Sequence, residues 1–292
     1  MASTRTGYMA LSPRKTLVFR QLYLACLNIG TTMHAISYLT CSTLRLSLDA
    51  SMSLSFEELD FRETPLGDLL LRRRRMLQFG DLDIYEVKLG DDFLMSSLFH
   101  EAEHQLSKLG LGVLEKDDLD VVVGGLGLGY TAVSALEDSR ISSLVVVDYL
   151  KPVIEWHQQG LVPLGKVLAE DSRCRLVHAD FFALSRNVET SFDPNAPSKK
   201  HDAILLDIDH TPTNLLNRTN ERFYSEEGLG ELARHLNPGG VFALWADGEP
   251  EAAFTEHLGK VFAQAEAHTI EFANPLLGGT SKGAVYVAQT GC

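Results

Sequence analysis

From Phe56 to Met95 the chain runs in short apolar stretches broken by turn residues, a pattern that predicts strands. Phe56-Glu57-Glu58-Leu59-Asp60-Phe61 leads into a turn at Thr64-Pro65-Leu66-Gly67, and the stretches Leu69–Leu77 and Leu82–Leu89 follow, bounded by Gly80 and Gly90. Runs punctuated in this way read as a small antiparallel β unit. Leu94, Leu98, Phe99, Ala102, Leu106 and Leu109 then recur near helical spacing up to Gly110, which predicts a helix over 94–109.

From Leu119 onwards continuous apolar runs alternate with helical stretches. Leu119–Val123, Leu144–Val147, Arg175–Val177 and Ala203–Leu206 have the character of parallel strands buried on both faces. A helix closes over Leu229–Leu236, Asn237-Pro238-Gly239-Gly240 turns the chain, and Val241–Trp245 makes a fifth strand. A further helix has Pro250 in its first turn and Phe254, Leu258, Val261 and Phe262 on one face. Glu266–Phe272 and Ala284–Ala288 form a closing antiparallel pair. Together these elements predict an α/β fold: a doubly wound, mostly parallel seven-stranded sheet of the Rossmann-like methyltransferase class, with a small β unit ahead of it. Asp193–Lys200, with two prolines, reads as a surface loop, and no internal repeat is present.

Charge separates off the N-terminus. The first acidic residue is Asp49, and Arg5, Arg14, Lys15, Arg20 and Arg45 precede it; setting those five aside leaves 21 of the 26 bases against 39 acids. An acid-free leader rich in Ser, Thr and Leu has the composition of an organellar transit peptide. The alternative, preferred here, is an upstream-extended start with Met52 as the true beginning. The domain reading is therefore a leader over 1–51, disordered, targeting or not the native start; a small β domain over 52–95; and the Rossmann-like domain over 96–292.

The formal net charge of −13 argues against nucleic acid as a partner and suits a cationic small molecule. Arg72-Arg73-Arg74-Arg75, the one basic cluster, reads as a strand edge or exposed ribbon. Cys26, Cys41, Cys174 and Cys292 show no pair spacing, which argues against a disulfide framework or zinc knuckle and for a reducing, cytoplasmic setting. No stretch is apolar for long enough to span a membrane.

The chemistry concentrates at strand ends. Val121-Val122-Val123-Gly124-Gly125-Leu126-Gly127-Leu128-Gly129 is a buried strand running into glycines and then a helix, with Gly124, Gly125, Gly127 and Gly129 allowing a ligand close to the backbone. Asp148 ends the next strand, 19 positions after Gly129, where a carboxylate accepts ribose hydroxyls. A nicotinamide dinucleotide competes for this layout, because Gly127-Leu128-Gly129-Tyr130-Thr131-Ala132 satisfies G-x-G-x-x-G/A. His178-Ala179-Asp180 ends the third strand, where Asp180 is placed to read an adenine amino group or, alternatively, to cap a helix. Asp207 ends the fourth, facing the same crevice. This series of strand ends, with the antiparallel pair at the C-terminus, favours a sulfonium nucleoside. His100-Glu101-Ala102-Glu103-His104 matches the zinc-protease pattern H-E-x-x-H. The apolar stripe at 98, 102, 106 and 109 turns both histidines away from the core, so this segment is expected to be a solvated helix face without metal.

From Phe56 to the end the chain resembles the spermidine synthase (polyamine aminopropyltransferase) family. The resemblance lies in the small β domain, the glycine loop, Val145-Val146-Val147-Asp148, His178-Ala179-Asp180, His201-Asp202-Ala203-Ile204-Leu205-Leu206-Asp207, and Phe223-Tyr224 leading to Leu236-Asn237-Pro238-Gly239-Gly240. It implies transfer of an aminopropyl group from decarboxylated S-adenosylmethionine, or use of S-adenosylmethionine itself, with an amine as acceptor and no metal. Asp207 and Asp209 are the implied catalytic carboxylates, with His210 as an alternative base; a homodimer is left open. The chain departs from the family in three places. Its glycine loop lacks the usual Asp. Its fourth-strand motif, Asp207-Ile208-Asp209-His210-Thr211-Pro212, has the second Asp one place early. The family's Asp-Glu-x-x-Tyr-His-Glu is unmatched where Asp91-Asp92-Phe93-Leu94 continues into Met95-Ser96-Ser97. A methyltransferase on the same fold and a non-catalytic homologue are the alternatives.

Overall fold

The computed structural model describes residues 56–292. The expectations for the leader and for the first residues of the β unit lie outside the described residues.

Four antiparallel strands form the first sheet, in the order β1 (Phe56–Thr64), β2 (Gly67–Met76), β3 (Leu82–Leu89) and β4 (Asp92–Ser96). Two expectations are corrected here. The four arginines do not mark an edge, because β2 lies between β1 and β3. Their side chains alternate with the period of two of a strand. Arg72 and Arg74 both reach the buried Glu86, at 2.5 and 2.8 Å, while Arg75 binds Asp83 at 2.9 Å and Arg73 binds Glu57 at 2.5 Å. The cluster is neutralised within its own sheet. The second correction is the helix proposed over 94–109. Its first residues belong to β4, which turns back at Gly90 and pairs Val87 with Met95; the helix, α1, runs over Glu101–Gly112. Leu94 and Leu98 match helical spacing only by coincidence with the alternation of the strand.

The second sheet has seven strands. In chain order the elements are β5 (Leu119–Gly124), α2 (Tyr130–Leu136), β6 (Ile141–Asp148), α3 (Lys151–Gln159), α4 (Gly165–Glu170), β7 (Cys174–His178), α5 (Phe181–Arg186) and β8 (His201–Leu206). A 3-10 segment over Arg218–Tyr224, α6 (Glu226–Ala233), β9 (Leu236–Asp247), α7 (Ala252–Val261), β10 (Gln264–Asn274) and β11 (Gly279–Gln289) complete the chain. The strand order is β10-β11-β9-β8-β5-β6-β7, with β7, β6, β5, β8 and β9 parallel and β11 antiparallel to β9. Asn237-Pro238-Gly239-Gly240, expected as a turn, lies inside β9. There the register on β8 jumps from His201↔Leu236 to Ala203↔Val241, so the extra residues bulge out of the ladder. Pro250 precedes α7 and is not in its first turn.

Alternate strand residues enter two separate cores, which is why these runs are continuously apolar. Val121, Val123, Leu144, Val146 and Leu205 pack on one side with residues of α1 to α4 and with Leu69, Leu71 and Val87 of the small sheet. Val122, Val145, Ile204, Leu206 and Phe242 pack on the other with Phe181, Leu229, Leu232 and Phe254. The carboxyl ends of β5 and β8 are left facing one crevice at the point where the strand order reverses, the position at which open α/β sheets take ligands. Among the described residues no helix is long and apolar enough to cross a membrane.

Candidate active site

The glycine loop leaves β5 at Gly124 and enters α2 at Tyr130. Gly124 O accepts from the Asp207 amide at 2.8 Å and the Gly125 amide donates to Val147 O at 2.9 Å, so the loop is tied to both neighbouring strands. Gly125 is required by close approach to backbone and Gly127 by its positive φ. Gly125 has φ +94, and a Cβ there would run into the carbonyl oxygen of Asp207; Gly127 has φ +48, and a Cβ would strike Met95. Other residues adopt such backbone only at a cost.

The predicted residues separate into those that meet in the crevice and those that do not. Asp148, at the end of β6, accepts the Leu150 amide at 2.7 Å on one oxygen and the Leu126 amide at 2.9 Å on the other, so it braces the glycine loop. Burial raises its pKa, opposed by these amide bonds. A carboxylate has about four lone-pair sites, which leaves capacity for a ribose. Past the end of β6 lies a concavity of about 270 Å³ lined by Thr64, Pro65, Tyr149, Leu150 and His178, among others; its lining does not include Asp148. Asp180 caps α5, accepting the Ala183 amide at 3.0 Å, which is the capping alternative of the sequence reading.

Asp207 projects from the end of β8 and accepts the Thr131 hydroxyl at 2.7 Å. Burial raises its pKa to about 6 against the pull of that hydrogen bond. The carboxyl group that opposes it is not Asp209 but Glu103, from the first turn of α1. Burial, and then repulsion from Asp207, raise Glu103 to about 8. Burial thus favours the neutral form of both carboxyl groups, and at Glu103 repulsion from Asp207 adds to it.

Asp209 is a correction. It was expected to point the same way as Asp207, as alternate residues of an extended strand do. The strand ends at Leu206, however, and Asp209 turns into the protein, 3 % exposed. Its carboxylate accepts the Leu216 amide at 2.6 Å, Asn220 Nδ2 at 3.0 Å and the Tyr224 hydroxyl at 2.8 Å, organising the segment after β8. A positive charge on His210 would favour the ionised forms of Asp209 and Asp247. Replacing Asp209 with Asn is accordingly expected to lower unfolding stability by about 2–4 kcal/mol, the range for disrupting a buried charged network. Ligand affinity of the folded fraction should stay within threefold. Denaturant unfolding with a titration at low temperature checks this, and unchanged stability with lost turnover would return Asp209 to the chemistry.

The H-E-x-x-H segment is the second correction. It is not a solvated face. His100 sits at the N-terminus of α1 with its ring stacked on Tyr130, centroids 4.3 Å apart and planes 7° off parallel, and the His104 ring is 5.0 Å from His100. Burial lowers the His100 pKa, and its Nδ1 is enclosed without a partner. Glu103 faces inward because it is in phase with the buried Leu106, Ser107 and Gly110. Sequence reading missed Glu103 by placing it inside a metal motif; its phase with Ser107 and Gly110 was the available signal. Among the described residues no group of three His, Cys, Asp or Glu side chains is placed to hold a metal ion.

With this geometry in hand the chain was compared with known proteins. No family model matches it. Among solved structures it is similar to a spermidine synthase from Thermotoga maritima, with 14 % identity and a TM-score of 0.61 over 80 % of this chain and 73 % of that one. It is similar to the same degree to a spermidine synthase in complex with the transition-state analogue AdoDATO, with 14 % identity and a TM-score of 0.60 over 80 % of this chain and 72 % of the other. At this identity the likeness establishes the fold: a mostly parallel seven-stranded α/β sheet preceded by a four-stranded antiparallel one.

Proposed function

We propose that this chain is an aminopropyltransferase-like enzyme on a doubly wound, methyltransferase-type sheet, taking decarboxylated S-adenosylmethionine as donor and a small amine as acceptor. The observation that carries the reading is Asp207 at the end of β8, tied to the glycine loop through its amide on Gly124 O and to α2 through the Thr131 hydroxyl that its carboxylate accepts at 2.7 Å, with the Glu103 carboxyl close enough to feel its charge. Two acidic groups placed together attract an ammonium ion, and an ionised carboxylate among them accepts the proton that makes the amine a nucleophile. In the transfer the amine nitrogen bonds to the carbon next to the sulfonium, the carbon–sulfur bond breaks, its electron pair stays on sulfur, and one proton passes from nitrogen to Asp207. The thioether nucleoside and the lengthened amine leave. Asp148 would hold the ribose.

The fold likeness to spermidine synthases and the analogue named in one of them support this reading. The test is incubation of the purified protein with decarboxylated S-adenosylmethionine and a series of diamines, followed by mass spectrometry. Formation of 5′-methylthioadenosine with an amine heavier by one aminopropyl group is the expected result. S-Adenosylhomocysteine formed from S-adenosylmethionine would make it a methyltransferase, and bound nucleoside without turnover would make it a non-catalytic homologue.

A further inference from the structure

The segment that joins the small sheet to α1 lies across the glycine loop. Met95, near the end of β4, places its sulfur 3.1 Å from the Leu128 amide, which donates to it. A Cβ on Gly127 would strike Met95 Cε and lie 2.7 Å from Sδ, so the room left by the missing side chain is filled by Met95. Two residues on, Ser97 O accepts the Tyr130 hydroxyl at 3.5 Å, and His100 then stacks on the same ring. His157, fully buried, binds Gly127 O through Nε2 at 2.9 Å. The carbonyl only accepts, so Nε2 carries the proton. Gly127 is contacted by both an imidazole and a thioether.

A donor nucleoside that carries an amino-acid tail brings a carboxylate, and a carboxylate at a glycine loop seeks backbone N–H groups. Here the Leu128 amide is occupied by a sulfur atom. Thioether sulfur is a weak acceptor, but it is fixed by the strand that carries it, since Met95 is paired with Val87 in the small sheet. A carboxylate that displaced it would also enter beside Asp207 and Glu103, the two acidic groups of the crevice floor. A tail ending in an ammonium group meets the reverse situation.

We propose that Met95 is a specificity-determining residue: its side chain occupies the glycine loop and reserves the site for a nucleoside whose sulfur-bound chain carries no carboxylate. The inference rests on the nucleoside reading above. It is tested by calorimetric titration of wild type, Met95→Ala and Met95→Leu with two probes, 5′-methylthioadenosine and S-adenosylhomocysteine. Wild type should bind 5′-methylthioadenosine at least tenfold tighter. Met95→Ala should narrow that ratio about tenfold, chiefly by binding S-adenosylhomocysteine more tightly. Met95→Leu keeps the apolar packing and frees the Leu128 amide, and should narrow the ratio about threefold. An unchanged ratio in Met95→Leu, with both probes bound and the melting temperature retained, overturns the role of Met95 and leaves the nucleoside reading standing. If wild type binds neither probe, the nucleoside reading falls and the inference falls with it.

Discussion

Asp207→Asn is expected to lower the single-turnover rate of aminopropyl transfer by about 10²- to 10⁴-fold, the range for removing a positioned general base. The fold should survive. Asparagine has the size of aspartate, and its amide oxygen still accepts the Thr131 hydroxyl that Asp207 accepts at 2.7 Å. What it lacks is the capacity to take a proton and the charge that draws an ammonium group in. Burial holds Asp207 at about 6, high enough for a useful base near neutrality and low enough for it to be ionised there. The rate of the wild type should consequently rise with pH through about 6 and level off, and the residual rate of Asp207→Asn should lack that limb. A variant within tenfold of wild type and with an unaltered pH profile would remove Asp207 from the chemistry. Thermal melts of both proteins guard against a folding artefact.

The parts of this molecule that follow from local physics were readable in the chain. Leu119–Gly124 and His201–Leu206 are strands covered on both faces, so their composition alone marks them. The glycine loop and the strand-end position of Asp207 come from the same runs. What escaped depends on contacts between distant segments. Met95 is an ordinary apolar residue until β4 carries it onto Gly127. Glu103 is one charge in a helix rich in charges; only the packing of α1 against the sheet turns it toward Asp207. Asp209 fails in the opposite direction. Its spacing from Asp207 implied a shared face, yet the strand stops at Leu206 and the backbone turns before Asp209, whose partners come from residues 216–224. The arginine ribbon was misplaced for a related reason: Glu86 and Asp83, which neutralise it, stand on the neighbouring strand, 14 and 8 positions further along.

Glu103→Gln is expected to make the protein more stable by an amount that grows as pH rises above about 4.5 and is complete above about 8. Burial, with repulsion from Asp207, raises Glu103 from its ordinary 4.5 to about 8. The folded state therefore holds a proton that the unfolded chain has released between those two values. A group of this kind contributes its full stability below about 4.5 and loses it as pH rises through about 8, because the native state must then bury an anion facing another. Glutamine keeps the size and removes the penalty. At pH 4 the two proteins should unfold at nearly the same denaturant concentration. At pH 8.5 the variant should be more stable by about 2–3 kcal/mol, less than the full conversion of the shift because the crevice admits water. His157 and His201, both lowered to about 4 mainly by burial, act with the opposite sign: their contribution is present above the ordinary 6.5 and fades as pH falls toward 4. They are common to both proteins and cancel in the difference. Urea unfolding at a series of pH values measures that difference directly. Parallel stability curves for wild type and Glu103→Gln would show that Glu103 carries no raised proton, and its repulsion from Asp207 would have to be abandoned. A variant that gains alkaline stability while losing transfer activity would show that this chain retains a buried acid at a cost in stability because the reaction requires it.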